Sequence, residues 1–236
     1  MTDFPKALPH GPLTEVFTDV FVVTGSFRPG ALMQFPRNMV VLREGKELSV
    51  INSVRLDDET ETKLNELGTV KHVVKIGAFH GMDDPYYRSR FSAKFWALPK
   101  TRFQGDLRAD EDLSDTHKPF AARVFAFENV RRPEGALLVD RAGGVLVTCD
   151  SVQNWTDMEG CSFLARLVMR PAGFMGKAKF GPFWLKAQKR KDGRDIADDY
   201  RRLGALQFAH LIGGHGSVLK GEAKARYSES LERAFG

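Results

Sequence analysis

The stretch FAHLIGGHG, residues 208–216, places a histidine in a glycine-rich turn directly after an apolar strand. Apolar residues at 208–212 favour a short strand, and the glycines on both sides of His215 indicate a tight turn. Apolar residues at helical spacing in the segment 221–235 then predict a terminal helix. His215 therefore lies in a loop at the end of a strand, a position from which loops often present functional side chains.

Two earlier loops follow predicted strands in the same way. The β-branched run at 70–76 has the pattern of a strand buried on both faces, and the loop behind it carries His80, Asp83 and Asp84. A later hairpin, with its turn at RAGG, ends at Asp150. Strands of a layered fold can end at one edge, so we expect these side chains and the histidine of the terminal turn to converge.

Such a convergence suits one metal ion. Zinc, iron and manganese accept imidazole and carboxylate ligands together, and a catalytic site needs about three protein ligands and an open position. Taken singly, a histidine or aspartate in a glycine-rich turn more often stabilises the turn or caps a helix. The hypothesis of a metal site therefore rests on the convergence and not on any one residue.

Short strands and helices alternate along the rest of the chain. Further strands are predicted at 15–27, 38–42, 47–54, 94–98 and 121–128, and helices at 59–67, 158–170 and 196–203. Because strands followed by a helix occur in each half, we expect an α+β fold with a sheet-on-sheet core and helices outside. We predict one domain over residues 1–236, with an extended leader at 1–14 and a helical insertion or lid at 156–205.

The composition is that of an ordinary globular protein. Hydrophobic residues make up 42% of the 236 residues, which is enough for a sizeable core. The net charge of +5 is small and concentrated in the stretch Lys186 to Arg194, so we expect a solvated basic loop and no nucleic-acid partner. No apolar run reaches the roughly 18 residues of a membrane span, and Cys149 and Cys161 form no CxxC pair. These features predict a soluble, cytoplasmic protein.

Three motifs resemble those of the metallo-β-lactamase-fold hydrolases, in the same order along the chain. HGMDDP at 80–85 resembles the HxHxDH loop of that family, VTCD at 147–150 resembles its aspartate motif, and IGGHGSVL at 212–219 resembles its GHG turn. The resemblance implies a four-layer αββα metallo-β-lactamase-like sandwich. FPRNMVV at 35–41 and DSVQNW at 150–155 resemble more closely an uncharacterised branch, the DUF4336-like proteins.

The departures from the family pattern imply a depleted metal site. Met82 and Pro85 stand where the family loop has its second and third histidines, and Glu134 is only a weak substitute for the middle histidine. One of the family's two metal positions keeps three of its four ligands, which by the resemblance are Asp84, Asp150 and His215. His80 would be a fourth ligand or a base. The resemblance therefore implies one ion in place of two.

The function implied by the resemblance is a metallo-hydrolase with one divalent ion, which is zinc or else iron or manganese. Its metal-activated water would attack an ester, lactone, thioester or phosphoester of a small molecule, and His80 or Asp83 would take the proton. The alternative is a catalytically inactive protein of this fold that serves as a ligand- or protein-binding module.

Two other regions have both a functional and a structural interpretation. A cluster behind the first histidine loop would line a pocket for an anionic substrate or form a helix turn at the surface: Tyr86, Tyr87, Arg88 and Arg90. The aromatic stretch from Phe163 to Trp184 would be a lid, a homodimer contact or an interfacial membrane segment, although such density more often reflects packing. His210 is a further ligand candidate, and His72 is interpreted as a core residue.

Overall fold

Two β-sheets stand face to face at the centre of the structure. The structure, a computed structural model, describes residues 4–103, 107–189 and 192–236. The first sheet contains, in chain order, β1 Thr14–Phe17, β2 Val20–Gly30, β3 Met33–Glu44, β4 Glu47–Ile51, β5 Thr69–Lys75, β6 Lys94–Ala97 and β7 Glu111–Asp112. Neighbours from β1 to β4 are antiparallel, and β5, β6 and β7 are then added in parallel.

The second sheet is built from the other half of the chain. It contains β8 Ala122–Ala126, β9 Gly135–Val139, β10 Val145–Thr148 and, parallel to β10, the late strand β13 His210–Ile212. A separate two-stranded sheet pairs β11 Val152–Trp155 with β12 Gly176–Phe180. The helices are α1 Asp58–Leu67, α2 Asp84–Phe91, α3 Phe163–Met169, α4 Pro182–Gln188, α5 Ile196–Gly204 and α6 Ala223–Phe235.

Three buried apolar clusters lie between successive layers. The central cluster joins the facing sides of the two sheets and includes Val74, Leu137, Val147 and Ile212. A second cluster packs the outer side of the first sheet against α1 and α2, and a third packs the second sheet against α5 and α6. Each fully buried side chain of this kind stabilises the fold by about 1.5–3 kcal/mol. The order of layers is therefore helix, sheet, sheet, helix, which confirms the predicted αββα sandwich.

Strand β5 shows why the first sheet is covered on both sides. Val73 packs toward the helices and its neighbour Val74 packs toward the second sheet, because successive side chains of a strand point to opposite faces. The β-branched run that predicted a doubly buried strand is thus confirmed. The helix predicted after Asp57 also forms, and the Asp57 carboxylate caps it by accepting a hydrogen bond from Thr60 N at 2.9 Å.

The aromatic stretch differs from the prediction. The helix expected from residue 158 begins only at Phe163, because Ser162 is its N-cap and binds Ala165 N. The residues behind it form β12 and α4, so the segment 156–205 contains a strand as well as helices. Short strands rich in glycine and lysine, such as β12, lack the alternation that sequence patterns detect.

Helix α3 leaves an apolar side in contact with solvent. Phe163 and Leu167 are exposed, whereas Ala165 and Met169 are buried against the rest of the protein. Ser162 Oγ also donates to the carbonyl of Leu32 at the tip of the β2–β3 hairpin. The helix and the hairpin tip therefore form one continuous surface. Among the described residues, no helix is both long and apolar enough to cross a membrane.

Candidate metal centre

Three side chains from separate loops meet where β5, β10 and β13 end. His80 follows β5, Asp150 follows β10 and His215 follows β13. His80 Nε2 lies 3.1 Å from His215 Nε2. Asp150 Oδ1 lies 3.6 Å from His80 Nε2 and 3.2 Å from His215 Nε2. These three atoms form a compact triangle of metal-capable donors, which we call the donor triangle.

The spacing of the donor triangle fits a tetrahedral metal ion. Metal–ligand distances of about 2.0–2.1 Å place neighbouring donor atoms of a tetrahedral site roughly 3.3 Å apart. The three observed distances lie around that value. Two imidazoles and one carboxylate suit zinc, iron and manganese, and three protein ligands leave one position for water or substrate. The residues present therefore fit one ion.

His215 is oriented by its surroundings in the way that a metal ligand requires. Its Nδ1–H donates to the carbonyl of Pro36 at 2.7 Å, since a carbonyl can only accept. In the neutral imidazole this leaves the lone pair on Nε2, the atom that faces the donor triangle. The Trp155 ring stacks on the imidazole at 5.9 Å and limits its rotation. The histidine is held in place without any contribution from an ion.

The turn that carries His215 is fixed from the first half of the chain. Asn38 Nδ2 donates to the carbonyls of Gly213 and Gly216, at 2.9 and 2.7 Å, and Asn38 N donates to the carbonyl of Gly214 at 2.8 Å. Gly216 has φ +80°, and a β-carbon there would lie 2.0 Å from the carbonyl oxygen of Asn154. Only glycine fits this position. Asn38 thus aligns the turn against the first sheet.

Asp150 is positioned through its backbone by Glu134. The fully buried Glu134 carboxyl accepts hydrogen bonds at Oε1 from Asp150 N at 3.0 Å and from Ser151 N at 2.9 Å. Burial and the charge of Asp150 raise the pKa of Glu134 well above its ordinary value. Glu134 stands where the family's middle histidine was expected, but it lies outside the donor triangle and anchors the loop that carries Asp150.

The charges within the donor triangle are coupled. Burial alone would raise the pKa of Asp150, but the imidazoles of His80 and His215 hold it well below its usual range. Burial lowers the pKa of His80 and opposes the attraction of Asp150. Burial also acts to lower the pKa of His215, yet its hydrogen bond to Asp150 raises it. Asp150 is therefore an ionised carboxylate, the form in which it binds a cation.

The other two predicted loop residues lie apart from the donor triangle. Asp84 is 1% exposed, and its Oδ1 accepts a hydrogen bond from Ser53 Oγ at 2.6 Å. Asp83 Oδ2 accepts from the Arg37 guanidinium and from Arg55 N. The structure brings together three of the four predicted ligands, which are His80, Asp150 and His215. The fourth, Asp84, lies outside the donor triangle. Of the two predicted bases, only His80 reaches the donor triangle.

The remaining candidates have structural contacts of their own. His210 contacts the Ala142 carbonyl through Nε2 and accepts from Gly221 N at Nδ1. His72 accepts from Trp96 Nε1. The predicted anion-binding cluster is part of α2: its tyrosines are buried, and its arginines form ion pairs with Asp110 and Glu61. The basic stretch Lys186 to Arg194 lies partly outside the described residues.

The residues that position the ligands were missed by pattern analysis. Asn38 and Pro36 lie in the FPRNMVV stretch that had been noted only for its resemblance to a family branch. Trp155 lies in the second such stretch, DSVQNW. A cluster of polar and aromatic residues inside apolar strands is the signal that could have identified them, because buried polar groups need specific partners.

Solved metallo-β-lactamases share this arrangement of layers. FIM-1 from Pseudomonas aeruginosa, solved in its mono-zinc form, has a TM-score of 0.64 and 13% identity, covering 98% of this chain and 98% of its own. DIM-1 has a TM-score of 0.64 and 12% identity over 96% of this chain and 100% of its own. A metallo-β-lactamase from Hirschia baltica has a TM-score of 0.61 and 11% identity over 94% and 98%. This chain has the metallo-β-lactamase fold.

The likeness to other proteins of the metallo-β-lactamase fold is structural. No protein-family model and no curated protein sequence matches the chain. TM-scores of 0.61–0.64 over nearly the whole chain establish the fold, and identities of 11–13% leave the activity to be tested. The closer resemblance to the DUF4336-like branch stays a prediction.

Proposed function

We propose that this protein is a metal-dependent hydrolase that holds one divalent ion with His80, Asp150 and His215. The donor triangle is the observation that carries the proposal, because its distances and its chemistry fit one tetrahedral ion before any ion is bound. A neighbour of the same fold solved in a mono-zinc form is consistent with a single ion. We expect zinc, with iron or manganese as alternatives.

An ion in the donor triangle supplies Lewis acidity, which polarises a carbonyl or phosphoryl oxygen and acidifies water. The contribution of the chain is to hold its donors in place before substrate arrives. The Pro36 carbonyl keeps the His215 Nε2 lone pair directed at the centre, and Glu134 fixes the backbone of Asp150. Burial favours the neutral form of His80, whose Nε2 can bind the ion or accept a proton.

The surroundings of His80 favour a small substrate with an apolar part and a negative charge. Phe79 and Met82, which flank His80 in the chain, are 45% and 59% exposed and offer apolar contact. The Arg132 guanidinium lies 5.0 Å from the centre of the Phe79 ring and brings a positive charge to the same edge. We therefore propose esters, lactones, thioesters and phosphoesters that carry an anionic group as the substrates to test first.

Metal analysis of protein purified without chelator tests the proposal. We expect about one ion per chain, and we expect Asp150→Asn to lose that ion while a matched Asp140→Asn change, at an exposed turn, keeps it. A hydrolase assay with zinc, iron and manganese added in turn is the second measurement. Less than about 0.1 ion per chain, with no activity gained on adding metal, would overturn the proposal and favour a non-catalytic ligand-binding protein.

A further inference from the structure

A buried pocket under the histidine loop holds one cation and one anion that do not touch. Lys75 is the last residue of β5 and Asp84 is the first residue of α2, and they are 7% and 1% exposed. The loop between them carries His80 and turns at Gly81, whose φ is +106°. Both charged side chains point to the space against Gly81. The donor triangle includes neither of them.

Each of the two charged groups lacks a partner on the side that faces the other. Ser53 donates to Asp84 Oδ1, but Asp84 Oδ2 has no hydrogen-bond partner among the residues that the structure describes. Lys75 Nζ donates no hydrogen bond to any residue that the structure describes, and the Lys75 side chain keeps a small exposed fraction of 7%. Buried groups of this kind are almost always paired, and a water molecule is the usual partner when protein atoms supply none.

The gap between the two groups has the width of one water molecule. A β-carbon built on Gly81 would lie 2.2 Å from Asp84 Oδ2 and 2.7 Å from Lys75 Nζ, so these atoms are at most about 4.9 Å apart, yet they lie beyond the 4.0 Å limit of an ion pair. Two hydrogen bonds of about 2.8 Å to one tetrahedral oxygen span roughly 4.6 Å. A water there would accept from Lys75 and donate to Asp84, satisfying both.

We propose that Lys75 and Asp84 hold one water between them and that the Lys75 ammonium is the cation of this pocket, which therefore takes no metal ion. Asp84 corresponds to a ligand in the family motif, but its donor set does not fit a second ion here. The ammonium lies within about 4.9 Å of the carboxylate, so a metal ion bound to Asp84 would be close to the positive charge of Lys75. Two cations at such a short distance in a buried pocket repel each other strongly. The lysine thus supplies the charge that a second metal would bring.

This inference does not depend on the proposed hydrolase activity, since it concerns a site beside the donor triangle. A crystal structure of the wild-type chain grown with zinc tests it directly, at a resolution that shows ordered water and with anomalous data collected at the zinc edge. We expect water density within hydrogen-bond distance of both Lys75 Nζ and Asp84 Oδ2, and no zinc peak at Asp84. Zinc on Asp84, or a pocket without water, would overturn the inference.

The same crystals separate the two proposals. If no zinc peak occurs in the donor triangle, the proposed hydrolase fails while the density between Lys75 and Asp84 still decides the inference made here. A water between the two side chains supports it in that case as well. A direct ion pair with no water between them overturns it whatever the donor triangle holds.

A double-variant cycle on the metal-free protein measures the coupling of the pair. With chelator present, we expect Lys75→Met to lower the folding equilibrium constant by about 100-fold or more, since it leaves a buried carboxylate without its cation. The matched change Lys71→Met, at an exposed position of the same strand, should alter it by less than about 5-fold. Adding Asp84→Asn to Lys75→Met should recover part of the loss. If the effects of Lys75→Met and Asp84→Asn on the folding equilibrium constant simply multiply in the double variant, the two residues are not coupled and the inference fails. If Lys75→Met does not fold, the density between the two side chains in the wild-type crystals decides the inference.

Discussion

Replacing Glu134 in two ways should separate its function as an anchor from a function as a metal ligand. Glu134 Oε1 accepts hydrogen bonds from Asp150 N and Ser151 N inside the protein. Glu134→Ala leaves both buried N–H groups without a partner, and each such group costs about 1–3 kcal/mol. The expected loss in the free energy of unfolding is therefore about 2–6 kcal/mol, before any cost of the cavity is added.

Glu134→Gln should be less damaging than Glu134→Ala. The amide oxygen can accept the same two hydrogen bonds, and burial together with the charge of Asp150 raises the pKa of Glu134, which favours a neutral group at this position. The amide nitrogen would replace Oε2, which has no partner among the described residues, so we expect a loss of about 1–3 kcal/mol in the free energy of unfolding and a retained zinc affinity. Because Glu134→Ala frees the Asp150 loop, it should weaken zinc binding about 10-fold or more.

Urea unfolding in the presence of chelator and zinc titration of the folded variants are the two assays. Glu159→Ala, at an exposed carboxylate, is the control for loss of a glutamate at the surface. If Glu134→Gln is as damaging to zinc binding as Glu134→Ala, Glu134 binds the ion itself and the anchoring argument is wrong. If Glu134→Ala is as stable as the wild type, the two hydrogen bonds contribute nothing.

Three further perturbations follow from contacts described above. Asn38→Leu removes the side-chain hydrogen bonds to the turn that carries His215. It should lower the free energy of unfolding by about 1–3 kcal/mol, as measured by urea unfolding, and weaken zinc binding, as measured by zinc titration. Gly216→Ala should destabilise the protein by at least about 2 kcal/mol more than Gly221→Ala, because both residues have φ +80° but only the first added methyl meets a carbonyl; equal thermal shifts would refute this. Burial lowers the pKa of His72, so the unfolded chain takes up a proton first and the native state loses stability as the pH falls below 6.5. The variant His72→Asn should therefore lose less free energy of unfolding than the wild type between pH 6.5 and about 5. Parallel curves of stability against pH for the two proteins would contradict the assignment.

The layered fold could be predicted because each layer leaves a periodic trace in the sequence. The β-branched run of β5 must be buried on both faces, and the hairpin that ends at Asp150 has its own turn signal. The convergence of His80, Asp150 and His215 followed from the single expectation that the strands end at one edge. Local pattern and layer architecture agree at these three positions, although the same expectation also placed Asp84 among the ligands.

The surroundings of Asp84 could not be predicted, because they depend on residues brought together only in three dimensions. Ser53 lies in the loop after β4 and Lys75 ends β5, and no spacing in the sequence links them to the histidine loop. A family motif assigns Asp84 by its position, whereas its contacts are decided by its neighbours. Glu134 illustrates the same point, since the carboxylate that replaces a histidine binds backbone N–H groups.

The hydrogen bonds of Asn38 also set the order in which the molecule can be completed. Asn38 and Gly213 are 175 residues apart in the chain, so the donor triangle closes only after nearly every layer has been assembled. On a translating ribosome, the early half can form its sheet long before the last loop emerges. Loading of the proposed metal would therefore be a late event in biosynthesis, and a captured ion would mark a molecule whose two halves have already docked correctly.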